Sequence, residues 1–165
     1  GLPLMRLAND RLEVALKHAR RTGHRVALLF VDLDGFKAVN DAQGHAAGDH
    51  VLQTVAQRVR RCVRDEDTVA RVGGDEFIVV IGGLTDSAAA AHLARSINAA
   101  VAQPIDWQGA SVLVGASVGI ALFPDHAQDA STLRLQADAA MYKVKRSGSN
   151  HYGFARDPAP SARRA

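Results

Sequence analysis

The stretch from Val26 to Leu33 is almost entirely aliphatic or aromatic and runs into two aspartates, Asp32 and Asp34. Continuous apolar character over this length, rich in β-branched residues, is typical of a strand that is buried on both faces. A strand of this kind lies in the middle of a sheet, with other layers covering it. The stretch therefore predicts a central strand whose carboxyl end carries acidic side chains.

Short turns connect most of the other predicted strands, including a hairpin whose turn is Gly73–Glu76. Hairpins pair their strands antiparallel, so the predicted fold class is α+β with helices flanking the sheet, and not a doubly wound parallel sheet. The predicted elements are helix 7–21, strand 26–33, a helix capped by Asp49, strands 68–72 and 77–81, a helix capped by Asp86 or Ser87, strands 105–107 and 111–122, helix 131–145 and strand 152–154.

Composition excludes several classes of protein. The 165 residues are 47% hydrophobic and 22% charged, as in a folded globular domain. Cys62 is the single cysteine, which excludes internal disulfides and a multi-cysteine metal site and favours the cytoplasm. The longest apolar run, Val26 to Val31, is far shorter than the ~20 residues of a membrane span. A membrane anchor of the full-length protein would therefore lie outside these residues.

The two ends of the chain suggest a domain excised from a longer protein. The sequence begins at Gly1 without an initiator methionine, and its last residues are rich in proline, alanine and arginine. We expect a domain over residues 1–154 and a linker stub over residues 155–165.

Four carboxylates are expected to meet at one edge of the sheet. Asp32 and Asp34 are two residues apart on a strand and therefore point to the same side. Asp75 and Glu76 occupy the glycine turn, which would lie beside them if the hairpin pairs with the central strand. Such a cluster repels itself unless it holds cations, and oxygen ligands alone favour Mg²⁺ or Mn²⁺. Taken singly, each pair would more often be ordinary strand-end and turn aspartates.

The sequence also contains four longer motifs, two of which include these acids. They are DLDGFKAVND at 32–41, GHAAGD at 44–49, RVGGDEF at 71–77 and ADAAMYKVK at 137–145. Together they closely resemble the GGDEF family, the diguanylate cyclases, which join two GTP molecules into cyclic di-GMP and pyrophosphate. Ser117-Val-Gly119 and the opening Gly1-Leu2-Pro3 also resemble family positions. The resemblance covers residues 1 to about 154 and implies a palm-like, mainly antiparallel sheet similar to nucleotidyl cyclase catalytic domains.

The resemblance also implies a metal site for Mg²⁺ or Mn²⁺, with two ions in each active site. Asp32, Asp75 and the backbone carbonyl of Leu33 would be the ligands. Asp75 is also the family position that helps to deprotonate the attacking 3′-hydroxyl. Glu76 is the adjacent acid of the metal and phosphate network.

By the same resemblance, Asn40 and Asp49 would recognise guanine, with His45 beside them. An amide and a carboxylate suit the donors and acceptors of that base, although both residue types also do local turn and cap work. Lys37 and Lys145 would contact the phosphates.

Ser149 departs from the family pattern, which has arginine or lysine at this position. Losing one charge-assisted contact costs about 1–3 kcal/mol if nothing compensates, so GTP affinity is in question. Arg146 is a candidate substitute by its place in the sequence.

The pattern R-x-x-D at Arg64–Asp67 stands where the family has an inhibitory cyclic di-GMP site, and Arg95 stands where the family has a further arginine for it. Product would therefore inhibit the enzyme non-competitively. The alternative is an exposed Arg64–Asp67 ion pair at a helix end.

Catalysis would require a homodimer, because the product is two-fold symmetric and each site holds one GTP. The main alternative function is a catalytically weak regulatory module that binds GTP or cyclic di-GMP and signals to an attached domain. A third interpretation, nucleic-acid binding, depends on the pI of about 9.4 and on four arginines that are better explained as a solvated helix face. These are Arg58, Arg60, Arg61 and Arg64. We expect neither nucleic-acid nor membrane contact by this domain.

Overall fold

The structure is a computed structural model that describes residues 4–155. The family-like opening Gly1–Pro3 and residues 156–165 of the expected linker lie outside the described residues. The elements are α1 Leu4–Thr22, β1 Arg25–Asp34, α2 Phe36–Gln43, α3 His45–Cys62, β2 Thr68–Arg71, β3 Glu76–Leu84, α4 Ala88–Val101, β4 Ile105–Trp107, β5 Ala110–Val112, β6 Gly115–Phe123, α5 Ala130–Arg146 and β7 Tyr152–Phe154. None of the helices in residues 4–155 combines the length and apolar character needed to cross a bilayer.

The main sheet has five strands in the order β2-β3-β1-β6-β7. All neighbours pair antiparallel except β6 and β7, which are parallel. The strands β4 and β5 form a separate two-stranded hairpin. The predicted α+β class, the mainly antiparallel sheet and the central position of β1 are therefore confirmed.

Side chains of β1 alternate between two apolar cores. Val26, Leu28 and Phe30 pack with α1 and α5, which we call the α1/α5 core. Ala27, Leu29, Val31 and Leu33 pack on the opposite face of the sheet with α3 and α4, which we call the α3/α4 core. Residues two apart on a strand share a face, so one strand supplies both layers.

Helix α5 lies in direct backbone contact with β6 at Gly119. A Cβ placed on Gly119 would overlap the carbonyl oxygen of Ala137 and the amide nitrogen of Met141. Both obstacles are backbone atoms of α5, so neither can rotate away as a side chain would. Glycine at 119 thus sets how closely α5, with Lys145 near its end, approaches the sheet.

We therefore expect Gly119→Ala to lower the free energy of unfolding by about 1–3 kcal/mol or more, because the core would be overpacked. Urea denaturation followed by circular dichroism measures this change. Gly82→Ala in β3 is the control, since nothing lies within 4 Å of a Cβ built there. Equal stability of the two variants would contradict the close approach described above.

Three predicted elements need correction. Asp49 does not cap a helix: α3 begins at His45, with Gly44 before it, so Asp49 already lies inside the helix. Helix α2 was not predicted at all, because only Val39 among its eight residues is buried and no apolar periodicity marks it. The predicted strand 111–122 is two strands, β5 and β6, which belong to different sheets.

Candidate active site at the carboxyl end of the central strand

The glycine turn lies beside the end of β1. In the antiparallel register Asp32 faces Glu76, and the Leu33 amide donates a hydrogen bond of 3.1 Å to the Asp75 carbonyl. The structure therefore brings together the acids of the first and third motifs. It also places the Leu33 carbonyl at the same end of the strand.

Arg71 holds the turn through hydrogen bonds to its main chain. Its Nε donates to the carbonyl oxygens of Gly73 and Gly74, each at 3.1 Å. The side chain of Glu76 folds over Gly73, where a Cβ would lie 2.8 Å from Glu76 Oε1. The arginine of the third motif thus positions the turn, a role that the motif alone did not reveal.

Two carboxyl groups of the acidic cluster, those of Asp75 and Glu76, have raised pKa values. Burial raises the pKa of Asp75, and the charge of Asp32 raises it further. Burial also raises the pKa of Glu76, with Asp32 and Asp138 adding to the effect. Both carboxylates are therefore harder to ionise than usual, and a cation placed among them would stabilise their charged form.

Lys145 supplies one positive charge to this cluster from the last turn of α5. Its ammonium donates to Asp32 Oδ1 at 2.6 Å, to the Leu33 carbonyl at 3.2 Å and to Asp34 Oδ1 at 3.1 Å. Burial alone would lower the pKa of Lys145, but the hydrogen bonds to Asp32 and Asp34 outweigh it and raise that pKa. The lysine thus contacts two of the expected metal ligands, Asp32 and the Leu33 carbonyl.

The chemistry of these donors fits a divalent cation such as Mg²⁺. Among residues 4–155, no three His, Cys, Asp or Glu side chains already converge as a metal centre. The ammonium nevertheless marks a position that accepts a cation, and it does so on carboxylate and carbonyl oxygens, the ligands that Mg²⁺ prefers. Asp75 adds a neighbouring carboxylate with a raised pKa. Asp32, Asp75 and the Leu33 carbonyl are therefore suited to hold the ion.

Asp34 has a structural task beside the cluster. Its Oδ1 accepts from Ser117 Oγ at 2.8 Å as well as from Lys145, and its Oδ2 accepts from the amide of Asn150 at 2.8 Å. Ser117 is completely buried in β6. Asp34 thus ties together the end of β1, the start of β6 and the turn after α5.

Ser149 lies in that turn with a positive φ of 61°, and its hydroxyl donates to the Lys145 carbonyl at 3.2 Å. The Ser149 side chain is therefore bonded to the end of α5 just before it in the chain. Arg146, the candidate substitute for the missing cation, places its guanidinium over the ring of Tyr142, 5.8 Å from the ring centre. Tyr142 is itself exposed on α5, so this stacking holds Arg146 on the outer surface of the helix.

The residues expected to recognise guanine lie on α2 and α3. Asn40 on α2 is half-buried, whereas Asp49 and His45, one turn apart on α3, are exposed. The side chain of Asn40 packs over Gly48, where a Cβ would overlap its amide group. Lys37 is exposed and pairs with Asp41 at 3.2 Å. Gly48 was not singled out from the sequence, although it stands beside Asp49 in the second motif.

Because Gly48 makes room for Asn40, we expect Gly48→Ala to displace the amide and to weaken substrate binding. If Asn40 binds the guanine of GTP, as the sequence predicts, the KM for GTP should rise about tenfold, because roughly one good hydrogen bond of about 1.4 kcal/mol is lost. Steady-state kinetics measures this change. Ala46→Ser, an exposed substitution in the same helix turn, should leave KM unchanged. An unaltered KM in Gly48→Ala would show that Asn40 does not need this space.

The structure brings Arg64 and Asp67 together but places Arg95 elsewhere. Asp67 is only 8% exposed, and its Oδ2 accepts from the backbone amide of Arg64 at 3.0 Å. Burial raises the pKa of Asp67. Both residues line a surface pocket of about 400 Å³ between α1 and the β2–β3 strands. Arg95 on α4 instead donates to the Tyr152 hydroxyl of β7 at 3.0 Å.

The simple alternative of an exposed Arg64–Asp67 ion pair does not describe this turn. Asp67 is buried and binds main chain, while the Arg64 guanidinium is 3.9 Å from Glu66. Arg60 adds hydrogen bonds from its guanidinium to the carbonyl oxygens of Asp67 and Arg64. The turn is thus held by main-chain contacts that leave the Arg64 side chain exposed.

Arg58 has a different role from the one its charge suggested. Its guanidinium donates to the carbonyl oxygens of Ala100, Gln103 and Pro104 at 2.7–3.2 Å. It therefore caps the carboxyl end of α4, where unsatisfied carbonyl groups favour a cation. Together with the contacts of Arg60, this removes two of the four arginines on which the nucleic-acid interpretation depended.

Comparison with known proteins shows which family and which structures the chain resembles. Residues 1–151 match the family model described as diguanylate cyclase, GGDEF domain. The bifunctional diguanylate cyclase/cyclic di-GMP phosphodiesterase MucR of Pseudomonas aeruginosa is 48% identical over 153 residues, which are 93% of this chain and 22% of MucR. The GGDEF domain of TpbB (YfiN) from Pseudomonas aeruginosa has a TM-score of 0.89 at 40% identity, with 92% of this chain and 95% of that domain covered.

A second similar structure contains a ligand. The GGDEF domain of DgcB from Caulobacter crescentus, in complex with c-di-GMP, has a TM-score of 0.79 at 28% identity, with 88% of this chain and 86% of that chain covered. The chain spans 22% of MucR and 37% of full-length TpbB, so it covers well under half the length of these two curated relatives.

Proposed function

Because the chain belongs to the GGDEF family of diguanylate cyclase domains, we propose that it condenses two GTP molecules into cyclic di-GMP and pyrophosphate. The observation that carries the proposal is the pairing of Asp32 with Glu76 beside Asp75 at the end of β1, the strand after which the chain forms α2 with Asn40 and α3 with Asp49. A cation-accepting acidic cluster next to groups that suit guanine is what nucleotidyl transfer from GTP requires.

In this proposal Asp32, Asp75 and the Leu33 carbonyl hold Mg²⁺ or Mn²⁺, two ions in each site. The metal would supply charge stabilisation for the attacking and leaving oxygens. Asp75 takes the proton of the 3′-hydroxyl, a task that its raised pKa suits. Glu76 supports the same network.

Substrate binding is divided between two sets of residues. Asn40 and Asp49, with His45 beside them, bind the guanine edge. Lys37 and Lys145 bind phosphate oxygens. The exposed fraction of these polar groups on α2 and α3 supports this assignment, because a ligand can reach them without displacing core residues.

The reaction joins two such sites. Each 3′-oxygen must attack the α-phosphate held by a second copy, so we propose that two protomers face each other with two-fold symmetry. The acidic cluster that would take part in this attack lies at the carboxyl end of the central strand β1.

The test is a direct assay of the purified domain with GTP and MgCl₂, both alone and fused to a dimeric coiled coil. Cyclic di-GMP is quantified by mass spectrometry, and GTP binding by calorimetry. Product formation that stops with EDTA supports the proposal. If the enforced dimer binds GTP and makes no product, the chain is the alternative regulatory module. Ser149, which replaces a family cation and bonds locally, is the observation that favours that alternative.

We also propose that product inhibits the enzyme at Arg64 and Asp67. The exposed guanidinium beside a pocket of about 400 Å³ could bind a guanine edge or a phosphate. The c-di-GMP complex of the similar DgcB domain supports product binding by folds of this kind. Arg95, which contacts Tyr152, would have to change its side-chain conformation to join this site.

Arg64→Ala is therefore expected to weaken cyclic di-GMP binding about tenfold or more and to increase product yield, with GTP binding unchanged. Calorimetry with cyclic di-GMP measures the first effect. Arg61→Ala is the matched control, since Arg61 is an exposed arginine three residues away. Equal product affinity of Arg64→Ala and the wild type would refute the inhibitory site.

A further inference from the structure

The Lys145 ammonium contacts the same atoms that a divalent cation would need. Of its three acceptors, Asp32 Oδ1 at 2.6 Å and the Leu33 carbonyl at 3.2 Å belong to two of the three groups assigned above to the metal. Only 34% of the lysine side chain and 14% of the Asp32 side chain are exposed, so the contact is shielded from solvent. A lysine on the surface could move away at little cost, whereas this one lies within the cluster.

We infer that Lys145 is an exchangeable counter-cation, which neutralises the acidic cluster when no divalent ion is bound and must leave Asp32 and the Leu33 carbonyl before such an ion can bind there. This inference depends on the metal site of the proposed function. The inference gives Lys145 a role distinct from phosphate binding, because the lysine would set the affinity of the empty site for a divalent metal ion.

The exchange follows from charge and geometry. Two cations that share one carboxylate oxygen repel each other strongly in a shielded site, where the effective dielectric constant is far below that of water. Metal binding must therefore break the short bond between Lys145 and Asp32, and this lost interaction lowers the apparent affinity for the metal. Removing the ammonium from the side chain should raise that affinity about tenfold or more.

Asp34 determines where the Lys145 ammonium lies after it has left Asp32. Its Oδ1 lies 3.1 Å from the ammonium, and its carboxylate is fixed by Ser117 and by the Asn150 amide. Asp34 therefore stays in place and still accepts a hydrogen bond from Lys145 after the contact between Lys145 and Asp32 is broken. It keeps the displaced ammonium beside the cluster, close enough to pair with the phosphates of an incoming nucleotide.

Metal and nucleotide should consequently bind cooperatively. The metal frees Lys145 from Asp32, and the nucleotide gives the freed ammonium a new anionic partner. Each ligand therefore removes part of the cost of binding the other, and the coupling is reciprocal. Replacing Lys145 with a neutral side chain of similar length should reduce this coupling as well as raise the affinity for metal alone.

The experiment compares the wild type, Lys145→Met and Lys143→Met. Mn²⁺ binding without nucleotide is measured by electron paramagnetic resonance of the free ion. Lys143 is an exposed lysine on the same helix and serves as the charge-matched control. We expect Lys145→Met to bind Mn²⁺ about tenfold or more tightly than the wild type, and Lys143→Met to bind like the wild type.

Each other outcome overturns the inference and says what else fails. Equal Mn²⁺ affinity in the wild type and Lys145→Met refutes the exchange but leaves the metal site and the proposed function in place. Absence of Mn²⁺ binding in both proteins refutes the exchange together with the proposed metal site. The same increase in Lys143→Met would mean that net charge alone, and not the contact with Asp32, controls the affinity.

A second measurement follows metal binding in wild-type protein, in case Lys145→Met folds poorly, and needs a variant only to assign one signal. In protein labelled with ¹³C-lysine, the Cε signal of Lys145, assigned with Lys145→Arg, should shift as MgCl₂ is added and should saturate with metal occupancy. Other lysine signals should stay in place. A Lys145 signal that does not move while Mg²⁺ binds would refute the exchange.

Discussion

Asp75→Ala is expected to lower the rate of cyclic di-GMP formation about 10³-fold or more. The substitution removes a metal ligand and the proposed general base together. It should not unfold the domain, because the raised pKa of Asp75 means that its ionised form destabilises the metal-free fold at any pH above the ordinary value of 3.8. The melting temperature without metal should therefore stay the same or rise, while the additional stabilisation by Mg²⁺ should disappear.

Two measurements on the same preparation separate these effects. Product formation is followed by mass spectrometry, and melting by differential scanning fluorimetry with and without MgCl₂. Asp106→Ala, an exposed substitution on the separate β4–β5 hairpin, is the control and should behave like the wild type. Turnover by Asp75→Ala within tenfold of the wild type would refute the role proposed for this carboxylate.

Dilution of the isolated domain is expected to lower its rate of cyclic di-GMP formation per protomer, because catalysis is proposed to need two copies. If each site holds one GTP and the attack crosses between protomers, the rate per protomer should fall with dilution once the protein dissociates. Diluting the isolated domain about 1,000-fold in its dissociated range should reduce the rate per protomer by about the same factor. A fusion to a dimeric coiled coil should remove this dependence, because a short linker gives an effective concentration of about 1 mM.

The fusion carrying Asp75→Ala controls for activity that comes from the added coiled coil. Rates are measured by initial velocity at saturating GTP over the full dilution series. A rate per protomer that is high and constant down to nanomolar concentrations of the isolated domain would contradict catalysis between protomers.

Much of this architecture could be predicted because it depends on local patterns. The apolar run of β1 and the glycine turn after β2 indicated a central strand and a hairpin. The pairing of Asp32 with Glu76 shows that the second strand of this hairpin lies beside β1, which the local patterns had left open. Helix α2 escaped prediction because its eight residues bury only Val39 and follow Gly35, whose φ of 84° sets a turn that propensity does not reveal.

The contacts of long cationic side chains could not be predicted from the sequence. Arg58 reaches carbonyl groups more than 40 residues away, and Lys145 reaches Asp32 across 113 residues. A flexible side chain can extend in many directions, and only the packing of its helix decides which acceptors it meets. The position of α5 depends in turn on Gly119 and its direct backbone contact.

The alternation of β1 has a consequence for how mutations far from the site should act. Asp32 and Asp34 share the parity of Val26, Leu28 and Phe30, and they meet Lys145 on the side of the α1/α5 core. The groups assigned to guanine come from α2 and α3, which pack on the α3/α4 core. The sheet thus separates the α1/α5 core, which supports the acidic cluster, from the α3/α4 core, which supports the residues assigned to the base. Substitutions that loosen the packing of the α1/α5 core should lower kcat, and those that loosen the α3/α4 core should raise KM. Buried substitutions on opposite sides of β1 can therefore change the two kinetic constants separately.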